Sequence, residues 1–143
     1  MSREIARTDD VRDVVSRHAR RTPLLHSDWL SGVAGAEVFL KCENLQVTGS
    51  FKVRGALAAV SLLTDDERSA GVLACSAGNH GLGLAFAAKV FAIPCTVVVP
   101  RSAPAVKADG IAALGATVIR SPHDGYDRTH AWTCLLYTSP SPR

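Results

Sequence analysis

No apolar run in these 143 residues approaches the length needed to span a membrane. The first ten residues, MSREIARTDD, are charged and lack the apolar stretch of a signal peptide. A cytoplasmic location is therefore expected. Net charge is nearly lacking too, at +3. The basic residues are scattered, and their densest group, Arg17, Arg20 and Arg21, reads as the solvated end of a helix. That argues against a nucleic-acid partner. The four cysteines, Cys42, Cys75, Cys95 and Cys134, have neither metal-finger nor CxxC spacing. Cys75 and Cys95 sit in apolar runs and read as small core residues. The five histidines show no HExxH or comparable ligand spacing, so no metal site is expected.

What is present suits one folded domain: 47% hydrophobic residues, 20% charged, and a length that can bury a core. Residues 8–20, TDDVRDVVSRHAR, place Val11, Val14, Val15 and His18 at helical spacing, with Thr8 to Asp10 as N-caps. RTPLLHS reads as extended, since Pro23 disfavours helix at Thr22. AEVFLK, residues 36–41, alternates like a strand. A helix is expected from about Ser50 to Leu63. TDDE, residues 64–67, is a capping-box pattern for a short further helix, which Gly71 would end.

Three similar units follow. VLAC (72–75), CTVVVP (95–100) and ATVI (116–119) are apolar throughout. Each leads into a helical pattern: to about Phe91, over about 104–114, and from GYDRTHAW onward. Strands apolar on both faces and alternating with helices predict an α/β fold with an open, parallel, doubly wound sheet. Ligands of such sheets sit at the carboxyl ends of the strands, which points to the turn Ser76 to Gly81. The last residues, CLLYTSPSPR (134–143), break the pattern. They resemble the translated read-through of a sequencing adapter, and the two Ser-Pro pairs forbid a continuing helix. This tail is expected to be foreign, to pack on nothing apolar, and to hold no more than one turn of helix.

Lysine is scarce: Lys41, Lys52, Lys89 and Lys107 account for four of the sixteen Lys and Arg residues. Lys52 stands out because ENLQVTGSFKVRGA (43–56) sets it between Phe51 and Val53 at a helix start. Burial among apolar neighbours would lower its pKa and free the amine to react with a carbonyl. The alternative is a lysine that reaches out to solvent along its own stem. Likewise the turn SAGNHG (76–81) either permits close helix–sheet packing or binds an anion on helix N-terminal N–H groups. It is not a GxGxxG fingerprint, and the chain holds no GxxxxGK[ST] phosphate loop.

ENLQVTGSFKVRGA together with CSAGNHGLGLAFAAK resembles the fold-type II pyridoxal-phosphate enzymes, above all the threonine/serine dehydratases. The resemblance covers about residues 19–133, with RRTPLLHS and GATVI. It implies pyridoxal 5'-phosphate as cofactor, carried by Lys52 through a Schiff base, enclosed by Phe51 and hydrogen-bonded at its ring hydroxyl by Asn79. It implies that Ser76, Ala77, Gly78, Asn79 and His80 bind the carboxylate of a small amino-acid substrate. The implied reaction is β-elimination of L-threonine or L-serine to a 2-oxo acid and ammonia, with Lys52 as the base. Related serine racemases carry a serine at the position of Ala77, and cysteine and threonine synthases an aspartate at that of Val53. Val47 and Leu82 depart from a frequent proline and glutamine. The resemblance further implies residues 1–48 as the start of a large domain, residues 49–133 as a small α/β domain, and a homo-oligomeric, longer parent. The phosphate loop lies downstream in that family, so the 143-residue chain alone is expected to be inactive. The other readings are a serine racemase or another lyase of this fold, an anion- or nucleotide-binding module, and an inert fragment.

Overall fold

The computed structural model describes residues 8–138, with side chains from Asp10 to Leu136. Helix α1 (Thr8–His18) leads through β1 (Leu24–His26), α2 (Asp28–Ala34) and β2 (Phe39–Lys41) to a single 3₁₀ turn at Glu43–Leu45. Then come α3 (Lys52–Ser61), α4 (Asp65–Ala70), β3 (Val72–Cys75), α5 (Asn79–Phe91), β4 (Cys95–Val99), α6 (Ala105–Ala112), β5 (Thr117–Arg120) and α7 (Tyr126–Thr138).

β3, β4 and β5 form one parallel sheet in chain order, with Ala74 opposite Val97 and Val97 opposite Val118. Both faces of this sheet are covered, which is why its strands read as apolar without alternation. Ala74, Cys95, Val97 and Val99 join the core with α3, α5 and α6. Cys75 and Val98, of opposite parity, face α7, where Thr129 and Thr133 are buried. Helices of both layers thus flank the sheet, as the apolar runs predict.

The short helices obey their end signals. Thr64 Oγ1 accepts from Glu67 N–H, and Glu67 Oε2 accepts from Thr64 N–H at 2.8 Å, which completes the capping box of α4. Gly71 closes that helix with φ 83°, a conformation that glycine adopts without a Cβ penalty. The sequence reading missed α2. Ser27 caps it, accepting from Leu30 N–H, and Gly35 ends it in the left-handed region. It also missed that the extended segment at Leu24–His26 pairs antiparallel with β2. These strands are three residues long and mostly exposed, so neither shows a decisive pattern.

The C-terminal expectation is corrected in one respect. α7 continues to Thr138, beyond the single turn allowed for the tail. CLLYT contains nothing that breaks a helix; the first Ser-Pro pair begins only at Ser139, and its proline restricts the residue before it. Cys134, Leu135 and Leu136 are exposed. The Tyr137 side chain and residues 139–143 lie outside the described part. Among the described residues, no helix is long and apolar enough to cross a membrane.

α3 and α5 pack most extensively of all element pairs, and their contact runs through Gly83. A Cβ there would lie 3.1 Å from Lys52 C and from Val53 N, both backbone atoms that cannot swing aside. Gly55, on α3 itself, has open space around it. The same substitution should therefore have opposite signs on the two helices. Gly83→Ala should destabilise by about 1–3 kcal/mol through overpacking. Gly55→Ala should stabilise by roughly 0.5–1 kcal/mol through helix propensity. Urea unfolding midpoints measure both. A neutral Gly83→Ala would show that the helices can part at no cost.

Candidate active site

The first half of the site is the start of α3. Gly49 turns the chain with φ 72°, and Ser50 is buried, its Oγ accepting from Lys52 N–H at 3.4 Å. Phe51 occupies the N-cap position already in helical conformation, and Lys52 is the first helical residue. Helical side chains lean toward the N-terminus, so a residue at the first position extends beyond the helix end. Val53 is fully buried, whereas Lys52 and Phe51 are exposed. The Lys52 ammonium lies 5.1 Å from the Phe51 ring centroid, within cation–π range. Of the two readings the sequence left open for this lysine, burial among apolar neighbours is excluded here and the side chain reaches solvent. One apolar neighbour faces the core, and the other stands in solvent beside the amine.

The second half is the turn after β3. Ser76 N–H continues the ladder to Val98 O at 2.9 Å. Ser76 Oγ then accepts from the N–H groups of Gly78 and Gly81, both at 3.2 Å. It acts as the cap of α5 from three residues before its first position, because Gly78 at the N-cap has no side chain. Gly81 is needed here: a Cβ would lie 2.8 Å from Ser76 O and 3.1 Å from a Val97 methyl. Leu82 N–H donates to Gly78 O. Among the described residues, the N–H groups of Ala77, Asn79 and His80 have no partner. Asn79 and His80 are exposed, and Ala77 is half-buried against the core. Such a row of free N–H groups at a helix start favours an anion.

Gly83 brings the halves together. It lies about one turn into α5 from Asn79 and touches the Lys52 backbone. Phe51 and Lys52 on one side and Ser76 to His80 on the other thus flank one place, at the carboxyl end of β3. The hollow lined by Gly71, Leu73, Pro94 and Thr96 lies at the opposite, amino end of the strands. Among the described residues, no three His, Cys, Asp or Glu side chains could hold a metal ion.

Sequence reasoning missed the support beneath α3. Arg54 Nε donates to Glu43 Oε2 at 2.9 Å, and its Nη2 donates to Glu43 Oε1 and to Arg20 O, both at 2.8 Å. Thr22 Oγ1 donates to Glu43 Oε1 at 2.5 Å. Gln46, buried, accepts from Arg20 N–H and donates to Arg20 O. The Arg54 fork, with help from Thr22 and Gln46, holds the Glu43 carboxyl down at about 2 against the opposing effect of burial. The pair ties the segment Arg20–Gln46 to the helix that begins with Lys52. Both residues stand in the quoted motif, but their spacing of eleven across a turn matches no helix or strand period. Close by in the chain, Thr48 Oγ1 is buried without a hydrogen-bond partner.

Residues 15–141 match the family described as pyridoxal-phosphate dependent enzyme. The chain is similar to an L-threonine ammonia-lyase of Thermotoga maritima: 54% identical over 99 residues, 69% of this chain and 25% of that protein. It is similar to an L-threo-3-hydroxyaspartate ammonia-lyase of a Pseudomonas species, 50% identical over 101 residues, 71% of this chain and 32% of that one. Among solved structures, the serine racemase of Dictyostelium discoideum superimposes with a TM-score of 0.76 at 38% identity, over 90% of this chain and 42% of that one. The chain spans about a quarter to a third of the length of the curated relatives it matches.

The depressed Glu43 carboxyl carries a pH dependence of definite sign. Its ordinary value is 4.5 and its folded value about 2, so the unfolded chain binds the proton more readily. The stability it contributes is complete above about 4.5 and disappears as pH falls toward about 2. At neutral pH, Glu43→Gln should cost about 1–2 kcal/mol, the lower part of the charged hydrogen-bond range because Arg54 is partly exposed. The gap between the urea midpoints of wild type and variant should close over that window. A gap that does not change with pH would show that the charge contributes nothing.

Proposed function

Because the chain belongs to the pyridoxal-phosphate dependent enzyme family, we propose that a full-length enzyme carrying these residues converts L-threonine or L-serine to the 2-oxo acid and ammonia. The observation that carries this reading is the pairing of Lys52 with the turn Ser76–His80, in which the flank position of Ala77 bears only a methyl group. The residues present fit the cofactor. A reachable amine stands beside an aromatic ring, and free N–H groups await an anion a short way off.

In this reading Lys52 holds the cofactor through its amine and Phe51 covers it. The Asn79 side chain, with a donor and an acceptor, meets the ring hydroxyl. When bound, the cofactor supplies an electron sink for the pair left at the substrate Cα. The N–H groups of Ala77, Asn79 and His80, with the Ser76 hydroxyl, hold the substrate carboxylate and so fix which Cα bond faces Lys52. Lys52, freed as the substrate's amino group takes its place, would then take the Cα proton. The β-hydroxyl leaves as water, and the enamine set free tautomerises and is hydrolysed, taking up water and giving up ammonia. The division into residues 1–48 and 49–133 and a homo-oligomeric assembly belong to the same proposal.

A second reading, racemisation, has support in the serine racemases among the similar structures. It requires a proton donor on the face opposite Lys52. Ala77 offers none, and Ser76 is offset from it by one residue along the turn, where its hydroxyl is assigned to the substrate carboxylate.

Lys52 can be tested in the 143-residue chain itself. Pyridoxal phosphate followed by borohydride should fix an adduct on Lys52, located by peptide mapping, and Lys52→Ala should lose it. An adduct spread evenly over Lys41, Lys52, Lys89 and Lys107 would remove Lys52 from this role. In the full-length enzyme, Lys52→Ala should abolish turnover, because holding group and base are the same atom. Asn79→Ala should keep the adduct and raise the barrier by about 1–3 kcal/mol.

Reaction type is tested at Ala77. The full-length enzyme should form 2-oxo acid from L-serine with little D-serine, and Ala77→Ser should raise the share of D-serine by restoring a hydroxyl on that flank. Chiral analysis of residual serine beside 2-oxo acid measures both. Production of D-serine as fast as pyruvate by the unmutated enzyme would establish the racemase reading instead.

A further inference from the structure

Arg20 and Arg21, taken from sequence as the solvated end of α1, do not stand alone. They line a cleft of about 250 Å³ with Lys41 of β2 and Arg54 of α3, closed below by Ser16 and Ala19. Four cations from three elements converge on one hollow. The nearest carboxylate, Glu43, neutralises only Arg54, and it spends its oxygens on Arg54, Thr22 and Gln46. The rest of the donor set is unsaturated. Lys41 makes one bond, to Thr22 O, and Arg20 makes one from its guanidinium, to Leu45 O. Arg54 keeps Nη1 uncommitted, and Arg21 has no partner among the described residues.

Like charges around a concave wall repel one another and focus positive potential into the hollow. Complementarity to a helix end could account for Arg20 and Arg21, just past the end of α1 at His18, but for neither Lys41 nor Arg54, which follow by twenty residues or more. Guanidinium forks match phosphate oxygens in bidentate fashion, and donors arriving from several directions suit a tetrahedral anion better than a planar carboxylate. We infer that this cleft between α1, β2 and α3 binds a small phosphate-bearing molecule. The site is separate from the turn Ser76–His80, and one of its walls, Arg54, lies two residues from Lys52 on the same helix.

Inorganic pyrophosphate is the probe, titrated calorimetrically into the 143-residue chain at low ionic strength. Saturable binding of one anion to the cleft is expected. Arg21 makes no contact on which the fold depends, so Arg21→Gln should fold normally and weaken binding roughly tenfold, one charge-assisted bidentate contact. Arg21→Glu should abolish it. Lys107→Glu, at an exposed position of α6, changes net charge equally and should leave affinity within about twofold. Circular dichroism and urea midpoints establish that each variant is folded. Three results would overturn the inference: no saturation, equal weakening by Arg21→Glu and Lys107→Glu, or saturable binding insensitive to Arg21. The last would place the anion on the free N–H groups of the α5 turn.

Discussion

The arrangement rests on a missing side chain. Gly83 lets the backbone of α3 lie so close to α5 that a Cβ there would crowd the Lys52 and Val53 backbone at 3.1 Å. The contact falls at Lys52, the first residue of α3, and about one turn from the start of α5. Two helix beginnings, separated by more than twenty residues of chain, are thereby made neighbours. Each contributes what a helix start naturally offers: a side chain leaning past the end on one, unpaired N–H groups on the other. The chemistry proposed for the family needs both in one place, and close packing supplies that without a dedicated binding loop.

A second constraint works from below. Arg54, two residues beyond Lys52 and so on a different face of α3, locks onto Glu43, with Thr22, Gln46 and the Arg20 carbonyl completing the set. The helix that carries Lys52 is thus fixed at two levels, by apolar contact with α5 and by a charged fork to the segment Arg20–Gln46. Loss of either would leave the lysine on a helix free to shift. The exposed apolar side chains of β1, α2 and β2, such as Leu24, Trp29 and Phe39, show that this segment's own burial is small. Polar ties carry a large part of its attachment.

Most of the sheet was legible in the chain. VLAC, CTVVV and TVIR carry strand residues on both faces, and a strand apolar on both faces must be covered on both. TDDE followed by Gly71 announced both ends of α4. The candidate site was legible as two motifs, through residue types: a lysine before VRGA, and glycines in a strand-to-helix turn. α2, and the pairing of β1 with β2, were not legible, because three-residue strands and a seven-residue helix have too few positions to show a period. The end of α7 was misjudged by letting Pro140 act further upstream than proline does.

The sequence by itself determined the order of elements from α3 onward, the parallel sheet, and the resemblance that the family match supports. Those follow from local periodicity and from residue types at fixed spacing, which travel with the chain. Only the tertiary structure decided that Lys52 is exposed rather than buried, that Glu43 and Arg54 are one unit, and that Arg20, Arg21, Lys41 and Arg54 share a cleft. Each of these depends on which surfaces meet across twenty or more residues. Periodicity has no term for that; it is set by packing, where the presence or absence of a single Cβ decides how near two backbones can come.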